Sequence, residues 1–147
     1  MSGPFKDIGD LPEIVTWRGA VVLAKDAQGR YLMQLRDDRP DIAEPGLWSL
    51  FGGGVEPGES MAQAAAREFL EETGIALDIA TLTPLARFAS EALRGGVIHV
   101  FSTSQVIDPC LVRLGEGAGF ACLTRAQIDR FGVITNMQRL LREMPQI

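Results

Sequence analysis

Residues 52–75 read GGGVEPGESMAQAAAREFLEETGI. Three glycines, a Pro57-Gly58 turn and a run of strong helix formers follow one another without interruption. Ser60 and Gln63 stand at the spacing of a capping box, in which the serine hydroxyl and the glutamine amide each satisfy a backbone N–H of the first turn. From Met61 to Thr73 there is no glycine or proline, so the spacing predicts one helix, ended by Gly74. Ala62, Ala65, Ala66 and Phe69 recur at helical spacing and are expected to form the buried stripe. Glu68, Glu71 and Glu72 stand at i, i+3 and i+4, on one helical face near the C-terminal end. Like charges so placed repel, and the helix dipole disfavours anions there. Positive charge has to compensate, either from Arg67 on the same helix or from a metal ion. Hard divalent cations take carboxylate and carbonyl oxygens, and bare glycine backbone lets a ligand come close.

The rest of the chain frames this unit. Residues 1–15 are expected to form an N-terminal arm, and residues 16–147 a single domain. Residues 16–24 and 31–36 read as two strands joined by the turn chemistry of residues 25–30, and residues 47–51 as a short strand leading into the glycines. Two further strands are expected at 83–92 and 97–107, a loop at 108–119 and a last strand at 120–123. Thr124 and Asn136 are the expected N-caps of two short helices. Strands in hairpins with a few helices predict a mixed sheet flanked by helices, in the α/β (α+β) class.

Composition narrows the function. The net charge is −5, which argues against a nucleic-acid partner but not against a small phosphorylated ligand met by metal. No apolar run reaches membrane-span length and the first residues are not a leader, so a cytoplasmic protein is expected. Cys110 and Cys122 form no CxxC pair and read as idle thiols, and His99, the single histidine, reads as a strand residue.

Gly53, Glu59, Arg67-Glu68-Phe69, Glu71-Glu72 and Gly74-Ile75 together resemble the Nudix box, G-x5-E-x7-R-E-U-x-E-E-x-G-U, with every fixed position of residues 53–75 filled. Phe69 stands where an aliphatic residue is usual, and Phe51 where many members have proline. The resemblance to this MutT-like family implies an α/β/α sandwich. It implies metal ligands at Glu68, Glu72 and the further carboxylate Glu71, with the Gly52 carbonyl beside them. Glu59 and Arg67 match a pair that locks the loop onto the helix. An additional acid from outside the box is expected at Glu116, with Asp108 and Glu91 as weaker matches.

The implied activity is Mg2+-dependent (or Mn2+-dependent) pyrophosphohydrolysis of a nucleoside diphosphate linked to another moiety, with Glu68, Glu71 or Glu116 as the proton acceptor. Arg36 and Arg18 are candidate phosphate contacts. Trp48, Phe51 and Phe101 are either pocket walls or core, with Phe51 the candidate substrate contact. A monomer or homodimer is expected. The alternatives are a nucleotide-binding module without catalysis and an isoprenoid diphosphate isomerase-like enzyme.

Overall fold

The computed structural model describes residues 3–42, 45–115 and 117–147. The chain runs β1 (Lys6–Asp7), β2 (Trp17–Lys25), β3 (Tyr31–Leu35), β4 (Trp48–Ser49), β5 (Phe51–Gly54), α1 (Met61–Thr73), β6 (Leu82–Ala89), β7 (Gly96–Val106), β8 (Gly119–Leu123), α2 (Arg125–Arg130) and α3 (Thr135–Glu143). The strands form one mixed sheet in the order β1-β6-β7-β2-β3-β4, with β5 paired to β2 and β8 to β3. β2 lies parallel to β7 and antiparallel to β5, so it is the central strand against which the others register.

Alternation along β2 divides the core. Ala20, Val22 and Ala24 face α1 and pack with Ala64, Ala65, Phe69 and Phe51. On the other face Leu23 joins Tyr31, Met33, Val100 and the apolar sides of α2 and α3, including Ile128, Met137 and Leu140. The result is the expected sandwich, with helices on both faces of the sheet. Full burial of Phe69 alone contributes about 1.5–3 kcal/mol. Among the described residues, no helix is long and apolar enough to cross a membrane.

Most local expectations hold. Ser60 caps α1 with both capping-box bonds, and Gly74 ends it at φ 73°. Thr124 caps α2 with a second capping box. Five details differ. The buried stripe of α1 centres on Ala64, Ala65 and Phe69, with Ala62 and Ala66 at its margin. The glycines are strand rather than loop, pairing as Gly19↔Gly54, Ala20↔Gly53 and Val21↔Gly52. The expected strand 47–51 breaks at Leu50 into β4 and the start of β5. Asn136 lies inside α3 instead of capping it, and its amide donates to the Ala89 carbonyl at 3.0 Å. The segment before β2 also enters the sheet: β1 pairs with β6, and Phe5 and Ile8 are buried.

Candidate active site

Helix α1 ends beside β5, and this junction forms one wall of a cavity of about 340 Å³. Gly52, Gly53, Glu68 and Glu72 line that wall. Arg36, at the end of β3, and Gln34 line it from the next strand. Trp17, the apolar Phe88, Ile98 and Met137, and Glu91 on the β6–β7 turn also line it.

The three acids of the helix separate here. Glu68 and Glu72 line the cavity, and Glu72 is only 9% exposed. Glu71 does not line it, and its side chain is 57% exposed. Glycine backbone makes the close approach possible. A Cβ on Gly53 would sit 2.5 Å from the Glu68 carboxyl carbon. The Gly52 N–H donates to Glu72 Oε2 at 3.3 Å.

The compensating charge is Arg67. Its guanidinium donates to both Glu59 oxygens at 2.7 and 2.9 Å, to the Gly54 carbonyl at 3.0 Å, to Glu68 at 2.9 Å and to Glu71 at 3.3 Å. It therefore ties the start of α1, strand β5 and two of the acids to one fixed cation. The hydrogen bonds to Arg67 and the Glu56 N–H hold the Glu59 carboxyl at about 2, and those to Glu59 push Arg67 above its ordinary value.

A carboxyl depressed from 4.5 to about 2 stabilises the fold fully above its ordinary value and loses that contribution as pH falls through the folded one. Denaturant midpoints of the native protein and Glu59→Gln should differ by a constant amount at neutral pH. The gap should close as the pH is taken from 4.5 toward 2. A gap independent of pH would remove the ion pair as its cause.

The other candidates fall as follows. Arg36 and Glu91 line the cavity. Arg18 is exposed on the opposite face of β2 from Trp17 and Gly19, and does not line it. Asp108 caps a short turn by accepting from the Cys110 N–H at 2.9 Å, away from the cavity. Glu116 lies outside the described residues. Phe51 is a correction: it is fully buried under α1, edge-on to Phe69, because its partner Val22 faces that core. Phe101 is likewise core, against Phe5, and Trp48 does not line the cavity. His99 is buried in β7, where desolvation pushes its pKa down and its ring donates to the Gly19 carbonyl. Cys110 and Cys122 are free thiols.

Sequence reasoning missed Gln34, Ser49 and Trp17. Gln34 carried a signal: a glutamine within the apolar run of residues 31–35 is expensive to bury unless bonded. It is 4% exposed, and its amide donates to the Leu50 carbonyl at 3.1 Å.

The donor set suits a hard cation. The cavity wall offers carboxylate and backbone oxygens, with no histidine or cysteine among the described residues that line it. Among the described residues no three metal-binding side chains gather, and Glu68 and Glu72 are the acids that line the cavity from α1. Mg2+ is commonly held by only one or two carboxylates together with substrate phosphates.

The family model described as NUDIX domain matches residues 15–109. The nucleoside triphosphatase NudI of Enterobacter sp. (strain 638) is 46% identical over 59 residues, 40% of each chain. Its namesake in Escherichia coli O9:H4 (strain HS) is 47% identical over 57 residues, 38% of this chain and 39% of that one. The match thus spans about two fifths of the length of these relatives. Among solved structures, the MutT protein from Methanosarcina mazei Go1 aligns at TM-score 0.70 and 24% identity, over 91% of this chain and 96% of that one. The E. coli ORF135 protein aligns at TM-score 0.71 and 22% identity, over 94% and 96%. At these identities the structural likeness establishes the fold.

Proposed function

The chain belongs to the NUDIX family, and on that premise we propose that it hydrolyses a phosphoric anhydride bond in a nucleoside di- or triphosphate derivative. One observation carries the reading: successive turns of α1 bring Glu68 and Glu72 to a cavity wall of bare glycine backbone. The relatives named nucleoside triphosphatases support a triphosphate as the first substrate to try.

Glu68 and Glu72, with the Gly52 carbonyl, would hold Mg2+ or Mn2+. When bound, such an ion supplies charge neutralisation for the phosphates and acidifies attacking water. Glu68 is the favoured proton acceptor among the described residues, because it reaches the cavity and Glu71 does not. Arg36, half-buried and lining the same cavity, would bind a phosphate oxygen. Glu59 and Arg67 hold β5 against α1, so the acids meet the substrate in a fixed geometry.

The test is turnover of nucleoside triphosphates, ADP-ribose, sugar nucleotides and dinucleoside polyphosphates with Mg2+ and with Mn2+, scored by phosphate and monophosphate release. Metal-dependent release from one class is expected. Binding without release across the panel would instead favour a nucleotide-sensing module.

A further inference from the structure

The function proposed above uses Glu68, Glu72 and the glycines of β5 and leaves the β2 side of the cavity unexplained. Trp17, Gly19 and Val21, alternate residues of β2, line that side, with Gly19 opposite Gly54 and Val21 opposite Gly52. The Trp17 indole lies along bare strand backbone. A Cβ on Gly19 would come within 2.6 Å of Cη2 and 2.8 Å of Cζ3, and a Cβ on its strand partner Gly54 within 3.4 Å of Cζ2 and Nε1. Any side chain at Gly19 would displace the ring. Consecutive glycines of β5 therefore serve two neighbours: Gly53 makes room for the Glu68 carboxyl and Gly54 for the indole.

A large flat apolar ring held partly exposed on a cavity wall offers its face to a ligand. We propose that Trp17 is the stacking surface for the substrate's nucleobase and sets the preference for a nucleoside over other diphosphates. This inference rests on the hydrolase reading of the same site.

Two observations favour a base over a hydrocarbon tail. Gln34, Ser49, Ser90 and Glu91 share the cavity with the apolar residues, and an alkyl chain would strip water from them without returning hydrogen bonds. The cavity is also at the small end for a ligand site, which suits one base with its phosphates at the glycines. Stacking on an aromatic side chain is sequence-tolerant, so Trp17 selects for a base without choosing which one.

The sequence has two tryptophans, and Trp48 does not line the cavity. In a Trp48→Phe background the fluorescence therefore reports Trp17. A nucleoside monophosphate should quench it, and ribose 5-phosphate or an alkyl diphosphate should not. Trp17→Leu should raise KM for a nucleoside triphosphate about 10- to 100-fold and be largely rescued by Trp17→Tyr.

Equal quenching by the alkyl diphosphate would overturn the proposal. So would native KM in Trp17→Leu, or no quenching by the monophosphate while triphosphate turnover persists. Quenching by the monophosphate with no turnover of any substrate would instead overturn the hydrolase reading and leave the stacking surface standing.

Discussion

Glu72→Gln loses at least about 100-fold in turnover while keeping its fold. Changing a residue that only orients a metal ligand costs about 10- to 100-fold, so neutralising a direct ligand should reach or pass the upper bound. The fold is spared because glutamine keeps the shape and a carbonyl oxygen to accept the Gly52 N–H now bonded to Glu72 at 3.3 Å. That bond is worth about 1 kcal/mol, which in a chain of this size corresponds to about 2–4 °C in melting temperature. Removing an anion near the C-terminal end of α1 offsets part of even this. Steady-state turnover beside a thermal melt checks both halves. Native activity in a folded variant would take Glu72 out of the site.

The second large effect separates two adjacent glycines. Gly52→Ala should unfold the protein or lower its stability by about 3 kcal/mol or more. Its Cβ would lie 2.2 Å from the Ala20 carbonyl oxygen and 2.5 Å from the Val21 Cα, both backbone of the partner strand. Only parting β5 from β2 relieves that contact, and β2 is the centre of the sheet. Gly53→Ala should instead melt close to native and lose activity. Its Cβ meets the Glu68 carboxyl at 2.5 Å, the far end of a side chain that can swing away. Melting curves and turnover of the two variants give opposite patterns if the glycines have these separate duties. Equal destabilisation of both would contradict the assignment.

The helix that carries the acids was legible because its signals are local. Ser60, Gln63 and Gly74 act within a few residues of themselves, and each does in space what its spacing predicts. The expectation that the crowded acids need a nearby cation is met by Arg67, four residues before Glu71.

The misreadings concern partners distant in sequence. Three glycines carry no side-chain alternation, so their strand character shows only through pairing with Gly19, Ala20 and Val21. Phe51 faces the core because Val22 does, a matter of register rather than residue type. Asn136 has the chemistry of a cap but donates to Ala89, 47 residues away. Glu71 and Glu72 are neighbours with the same side chain, and only the packing of α1 against β5 sends one to solvent and the other to the cavity.

Hydrolysis as proposed requires Glu68 and Glu72 to hold a divalent ion at the end of α1. Its most direct test is the melting temperature of the native protein and of Glu72→Gln as Mg2+ is raised. An ion that binds only the folded chain stabilises it by mass action, about 2.7 kcal/mol at a concentration 100-fold above Kd. A saturable rise is expected for the native protein, and a curve shifted to much higher Mg2+ or flat for Glu72→Gln. Identical curves for the two proteins, rising or flat, would contradict it.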